Sequence, residues 1–236
     1  AWGNAHFGQL GNNTNDDFNG TSDNYTAYRH FPAPIQVLTG AQGSASGYLE
    51  KIVQIDSMGG YTDQAKWGKY QAGTSLAVTE NKEVYGWGSS KYGALGVTTV
   101  HVKTPIKVSN ISTAVQIAGG GSSIGGNYRD NDDNGALAHT IILNADGTVS
   151  SLGYNGNGQL GNGVTKGGAT TGIQNVQNIS NALQVAGSKN GYHSVAVRDD
   201  GTVWTWGRNS SGELGNGTTD QKTKPIQVGG SSSNAM

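Results

Sequence analysis

The sequence predicts an all-β chain, a β-propeller of four-stranded antiparallel blades, and three observations carry that expectation. A glycine-bracketed leucine recurs four times, as GQLG from Gly8, GALG from Gly93, GQLG from Gly158 and GELG from Gly212. Each follows a strand-like ending by a fixed five residues, at Trp2-Gly3, Trp87-Gly88, Leu152-Gly153 and Trp206-Gly207. Between these marks lie short apolar runs with period-two alternation, interrupted by turn residues and never by a helical pattern. Self-similarity of this kind is the mark of stacked sheets, because one small sheet cannot bury both of its faces alone. A flat β-sandwich, the rival arrangement, has no reason to repeat its motifs.

Four strands, named A to D in chain order, account for each repeat. Strand A is PIQV from Pro34, PIKV from Pro105, GIQNV from Gly172 and PIQV from Pro225. Strand B centres on Gln54, Gln116 and Gln184 in IVQID, AVQIA and ALQVA. Strands C and D form a hairpin that opens at Ser75, Thr140 or Ser194 and ends twelve residues later at Trp87, Leu152 or Trp206. Asp146-Gly147 and Asp200-Gly201 supply its tight turn, since glycine takes positive φ without steric cost. The repeat units fall near 8–92, 93–157 and 158–211, with a partial unit at 212–228. This makes about three complete blades plus partial blade strands. Residues 229–236, ending SSSNAM, read as a tail of cloning origin. Counting A as the first strand of each blade separates it from D, so the chain is expected to form an arc completed by a missing segment or a second chain.

Composition narrows the function classes. Only 34% of residues are apolar, so burial must come from many thin elements, and 39 glycines against 4 prolines give a chain rich in turns. Five tryptophans at regular positions argue for packing and against disorder. A net charge of −1 lacks the basic footprint of a nucleic-acid binder. No apolar run reaches membrane-spanning length and no leader opens the chain, so a soluble protein is expected. With no cysteine, disulfide and thiol chemistry are excluded, while cytosolic and bacterial surface settings both stay open.

The combined stretch HSVAVRDDGTVWTWGRNSSGELGNGT followed by PIQV resembles the repeat of the regulator of chromosome condensation family. That resemblance implies a seven-bladed propeller, of which this chain would be part. Leu152 departs from the usual tryptophan and Gly172 from the usual proline. The guanine-nucleotide exchange and chromatin docking of the eponymous member do not carry over residue by residue, for there is no matching wedge insertion and no basic tail. A light-sensing relative directs attention to Trp87, Trp204 and Trp206, but these occupy ordinary strand positions, and packing between blades is their expected role.

The expected function is a non-enzymatic binding module of an exported or cell-surface bacterial protein, with an intracellular regulator of a small GTPase as the alternative. His6, His30, His101, His139 and His193 form no metal-spaced or triad-like pattern. His139-Thr140 and His193-Ser194 share one repeat position, which points to a structural hydrogen bond. AGGGSSIGG at 118–126 reads as an insertion, not a phosphate loop. Asp130, Asp132 and Asn134 before Gly135 are spaced like a calcium loop, although Ile141 stands where a glutamate ligand is needed; Asn15, Asp17 and Asn19 before Gly20 echo it. Calcium is therefore the one cofactor considered. Because antiparallel strands alternate direction, B-to-C and D-to-A connections emerge on one face and A-to-B and C-to-D on the other. The longest expansions, near 12–33, 59–73 and 119–138, crowd the first face. They carry Tyr25, Tyr28, Phe31, Tyr61, Trp67, Tyr70, Tyr128 and Arg129, residue types enriched at binding hot spots. A protein or cell-surface ligand is expected there, centred on Trp67 and Tyr128.

Overall fold

A computed structural model of the chain describes residues 1, 3–4, 8–13, 30–31, 33–59, 73–99, 102–108, 111–122 and 137–229. Among them the only helical element is a 3-10 turn at Gly40–Gln42. Strands β1 (Gly3–Asn4) and β2 (His30–Phe31) pair with each other. Three four-stranded antiparallel sheets follow. The first holds β3 (Ile52–Gly59), β4 (Gly73–Thr79), β5 (Val84–Gly88) and β6 (Val102–Lys107) in that spatial order. The second holds β7 (Ala114–Ser122), β8 (Leu137–Asn144), β9 (Val149–Gly153) and β10 (Gln174–Asn175). The third holds β11 (Ala182–Gly187), β12 (His193–Arg198), β13 (Val203–Gly207) and β14 (Lys222–Gln227).

This order corrects the blade boundary. Strand A does not open a blade; it closes the preceding one, pairing with D in β5–β6, β9–β10 and β13–β14. Each sheet is therefore B-C-D-A, and Lys222–Gln227 completes the third sheet instead of standing alone. The physical reason lies in the D-to-A connection. Its glycine-bracketed leucine reaches over to the next sheet, then the chain returns antiparallel to the strand it left, which makes A the neighbour of D.

Three local demands produce the fixed spacing. The glycine ending each strand D has φ of +102° at Gly88, +111° at Gly153 and +105° at Gly207, and a Cβ there would come within 2.3, 2.5 and 2.4 Å of a carbonyl oxygen of strand C or the residue before it. Only glycine tolerates both constraints. The leucine turn is pinned by a polar side chain five residues earlier, as Ser90 Oγ, Asn155 Oδ1 and Asn209 Oδ1 accept from the amides of Leu95, Leu160 and Leu214 at 3.0, 3.0 and 2.9 Å. The residue before the leucine then offers its carbonyl to the next sheet. Gln9, Ala94 and Gln159 accept from the hydroxyls of Ser75, Thr140 and Ser194 at 3.1, 2.7 and 3.0 Å. Trp87 and Trp206 donate their indole N–H to the same Gln9 and Gln159 carbonyls, both at 2.8 Å. The Leu152 side chain has no N–H to give, so the indole bond is missing here and the Thr140 hydroxyl serves the Ala94 carbonyl.

All four bracketed leucines, Leu10, Leu95, Leu160 and Leu214, are buried. One apolar cluster unites Leu76, Val78 and Trp87 of the first sheet with Leu95, Ile117, Ile142 and Leu152. A second unites Ile141, Leu143 and Val149 with Val185, Ala196 and Trp206. Along the B strands a glutamine clasps each sheet to the next. Gln54 Oε1 accepts from the Ile117 amide at 2.7 Å while its Nε2 donates to the Ile117 carbonyl at 2.9 Å, and Gln116 does the same to Val185 at 2.9 and 3.2 Å. A carboxamide thus supplies what a neighbouring strand would, satisfying the free edge of β7 and β11. Gln116→Ala strands both Val185 groups and is expected to lower stability by about 1–2 kcal/mol. The equivalent Gln184, exposed and without a clasp partner among the described residues, is expected to change stability by less than about 0.5 kcal/mol when replaced by alanine. Urea unfolding of the two variants checks the contrast.

Candidate functional site

The connections β5–β6, β9–β10, β11–β12 and β13–β14 all leave the sheets on the face expected to carry the partner surface. Three tyrosines from three different sheets meet there. Tyr92 follows β5, Tyr154 follows β9 and Tyr192 precedes β12. Tyr92 and Tyr154 pack edge to face with ring centroids 5.6 Å apart, and Tyr154 meets Tyr192 the same way at 6.0 Å. A cation closes each end of this ladder, Lys91 Nζ lying 5.9 Å from the Tyr92 ring and the Arg208 guanidinium 6.0 Å from Tyr192. Gly156 leaves room for the Tyr154 ring, since a Cβ there would fall 2.1 Å from its hydroxyl.

Arg208 is held in place. Its Nε donates to Ser210 Oγ at 2.8 Å and lies 3.7 Å from Glu213 Oε1, while Glu213 Oε2 accepts from the Ser211 amide at 2.7 Å. Burial pushes the Glu213 carboxyl up, but the Ser211 amide, together with Arg208 and His193, outweighs it and leaves the carboxyl below its ordinary value. Beside Arg208 lies a polar depression lined by Asn157, Asn209, Ser210, Thr219, Asp220 and Gln221. In the β11–β12 connection, Lys189 Nζ reaches Asp56 of β3 at 2.5 and 2.6 Å and the Ser57 carbonyl at 2.9 Å. Asp56 also accepts from the Gly119 amide at 2.7 Å, so one carboxylate ties the B strands of the first two sheets to a loop of the third.

The contact between His139 and Ser194 is not a catalytic pair. His139 Nε2 lies 3.0 Å from Ser194 Oγ, and the Ser194 hydroxyl already donates to the Gln159 carbonyl at 3.0 Å. The imidazole must therefore donate through Nε2, so it cannot take the serine proton, and both groups are fully buried. The expected structural hydrogen bond is present, with His139 contributing from strand C of the second sheet to strand C of the third.

Tyr25, Tyr28, Tyr61, Trp67, Tyr70, Tyr128 and Arg129 lie outside the described residues, as do Asp130, Asp132 and Asn134; the backbone of Phe31 is in β2 and its side chain is not described. Among the described residues no three His, Cys, Asp or Glu side chains gather as metal ligands. Tyr92, Tyr154, Tyr192 and Arg208 went unremarked in the sequence because they sit in its less expanded connections. The available signal was their adjacency to strand ends, one to four residues from β5, β9, β12 and β13.

This architecture is that of β-propeller blades, and the regulator of chromosome condensation (RCC1) repeat model matches residues 82–124 and 200–236, with a second model of the same repeat matching 185–213. Among curated proteins, the chain is similar to the human E3 ubiquitin-protein ligase HERC2, 29% identical over 155 residues covering 64% of this chain and 3% of that protein. It is similar to the Arabidopsis thaliana Ultraviolet-B receptor UVR8, at 27% over 155 residues, 65% of this chain and 32% of the receptor. The Protein RCC2 homolog of Danio rerio is 34% identical over 92 residues, 39% of this chain and 18% of the homolog. In solved structures the fold matches yeast RCC1 (Prp20) bound to Kap60, with a TM-score of 0.60, 20% identity, and coverage of 98% of this chain and 44% of Prp20. Human WBSCR16 matches with a TM-score of 0.59, 17% identity, and coverage of 97% and 46%. The chain thus spans less than half the length of the solved structures it matches, and a third or less of these curated relatives. These relatives are eukaryotic, so the bacterial source expected from composition draws no support from them. Among the described residues no helix is long and apolar enough to cross a membrane.

Proposed function

We propose that this chain is a non-enzymatic protein-binding module that receives its partner on the tyrosine ladder between Lys91 and Arg208. The observation that carries the reading is the convergence of Tyr92, Tyr154 and Tyr192 from three sheets, with a cation at each end. Tyrosine and arginine dominate binding hot spots because they offer large, rigid contact area with a polar tip. The similarity to RCC1-repeat proteins, among them Prp20 in complex with Kap60, supports a binding role over catalysis. The proposed setting is exported or cell-surface, resting on low charge and a composition rich in Asn, Thr, Ser and Gly.

The test starts from the partner captured by the full chain and identified by mass spectrometry. Tyr154→Ala combined with Arg208→Ala is expected to weaken that binding about thirtyfold, the scale of a hot-spot loss. Tyr48→Ala, an exposed tyrosine in the A-to-B connection on the opposite face, is expected to leave it unchanged. The reverse pattern sinks the reading. If the captured protein is a small GTPase and the chain accelerates its nucleotide release, the regulator alternative replaces it.

A further inference from the structure

Asparagine followed by glycine is a chemically labile step, because glycine has no side chain to shield its own amide nitrogen from the asparagine carboxamide. Five such steps fall among the described residues, at Asn155, Asn157, Asn162, Asn190 and Asn216. Four of them are locked. The buried Asn155 carboxamide accepts from the Leu160 amide and donates to the Val164 carbonyl, both at 3.0 Å. Asn162 donates to Gln174 Oε1 at 3.1 Å while its Oδ1 accepts from Asn155 at 3.1 Å. Asn216 Oδ1 accepts from Asn209 at 3.2 Å and from the Thr218 hydroxyl at 3.0 Å. Asn157 is held through its backbone, its amide donating to Gln159 Oε1 at 2.9 Å, and Gly158 packs so closely on β14 that a Cβ would fall 2.9 Å from Thr223 Cα.

Asn190 differs on each count. It is exposed, in the turn from Ser188 to Gly191, and its carboxamide has no hydrogen-bond partner among the described residues. The half-exposed Gly191 amide is held by the Ser188 carbonyl at 3.3 Å, longer than an ordinary N–H···O bond. Both reacting groups are therefore free to meet.

We infer that Asn190-Gly191 is a self-modification site that disconnects Tyr192 from the tyrosine ladder. The Gly191 nitrogen attacks Asn190 Cγ, the bond from Cγ to the side-chain nitrogen breaks, and that nitrogen leaves as ammonia with the proton given up by Gly191. Water then opens the cyclic imide at either carbonyl, leaving aspartate or isoaspartate. Isoaspartate routes the main chain through the former side chain and lengthens it by one carbon. The connection has no slack for that atom. On its entry side the Ser188 carbonyl accepts from the Gly121 amide at 2.9 Å, and Lys189 is tied to Asp56 and to the Ser57 carbonyl. On its exit side the Tyr192 carbonyl accepts from the Arg208 amide at 2.8 Å, and the Tyr192 ring rests on Tyr154. The entry is held by more bonds, so Tyr192 is the residue displaced. The consequence for partner binding rests on the ladder being the partner surface; the modification does not.

The test is site-resolved peptide mapping by mass spectrometry of the full chain after prolonged incubation in mildly alkaline buffer. Asn190 should deamidate at least tenfold faster than Asn155, Asn162 and Asn216, and the five steps should react at similar rates once the chain is unfolded in urea. Asn190→Gln should abolish reaction at this position in the folded chain. In the purified isoaspartate form, hydrogen exchange at the Arg208 amide should quicken more than tenfold. Asn190→Asp, which adds the charge without lengthening the backbone, should exchange there like the parent chain. Asn155, Asn162 or Asn216 reacting as fast as Asn190 in the folded chain, or an Arg208 amide equally protected in the isoaspartate form, would overturn the inference. If the Arg208 amide is released and partner binding is unchanged, the ladder fails as the partner surface while the modification site stands.

Discussion

Replacing Trp206 by alanine is expected to lower the unfolding free energy by about 3–5 kcal/mol, the cost of deleting a large side chain from a close-packed interior. The indole is completely buried and forms part of the cluster shared by the second and third sheets. Its N–H donates to the Gln159 carbonyl at 2.8 Å, and a Cβ on Gly161 would stand 2.8 Å from the same nitrogen, so the ring lies flush against the GQLG turn. Alanine would leave a cavity and release one of the two groups that anchor the crossover. Trp206→Leu copies what Leu152 does naturally in the second sheet, keeping the apolar fill and the serine bond to Gln159, and should cost about 1–2 kcal/mol. Trp204 supplies the comparison two residues away. Half-buried, with its N–H on Thr202 at 2.9 Å and Arg198 stacked 5.5 Å from the ring, it should cost about 1 kcal/mol when replaced by alanine. Urea denaturation of the three variants decides the matter, and a Trp204→Ala loss larger than that of Trp206→Ala would refute the anchoring role.

The repeat was legible because its marks answer local backbone demands. Gly88, Gly153 and Gly207 need a conformation and a clearance that only glycine offers, and the bracketed leucine needs a buried site one turn later. These requirements act over a few residues, so they survive as fixed spacing. The pairing of strand A did not survive in that way. A D-to-A connection of 12 to 26 residues, from bracketing glycine to strand motif, carries no sign of the sheet to which it returns. The clasp role of Gln54 and Gln116 was visible only as a polar residue recurring inside an apolar strand; its carboxamide bonds join positions 63 and 69 residues apart.

The candidate site divides along the same line. Its face followed from strand alternation, which is a rule of direction and needs no side-chain detail. The residues on it did not follow, because Tyr92, Tyr154 and Tyr192 hold different positions within their repeats. Their contacts arise from how three sheets fan against one another, and no sequence interval links them. Trp67 and Tyr128, on the long expansions, lie outside the described residues, and the aromatic contacts among the described residues come from shorter connections.

Acid is expected to destabilise the fold through His139 before most carboxylates begin to titrate. Burial holds its imidazole down at about 3, with the positive charges of His193 and Lys189 acting in the same direction. Protonation would place a cation in a site where Nδ1 has no hydrogen-bond partner. Gly120 lets the B strand of the same sheet close over the ring, since a Cβ there would fall 2.3 Å from Cε1. The unfolded chain meets no such barrier and takes up its proton near 6.5. The native state therefore binds fewer protons below that value, and stability is full above pH 6.5 and declines as the pH falls towards 3. The slope approaches about 1.4 kcal/mol per pH unit, so roughly 3 kcal/mol is lost by pH 4.5. His193, also lowered by burial, adds a contribution of the same sign. Asp146 and Asp200, held below their ordinary values first by the Thr148 and Thr202 hydroxyls, act only at lower pH. Urea unfolding between pH 7.5 and 4.5 should therefore give a curve for His139→Gln that is flatter by nearly one proton. That variant starts below the parent chain at pH 7.5 and meets it as the pH falls, because its carboxamide can still donate to Ser194 without having a charge to exclude. Parallel curves over this range would mean that the His139 proton is not linked to folding.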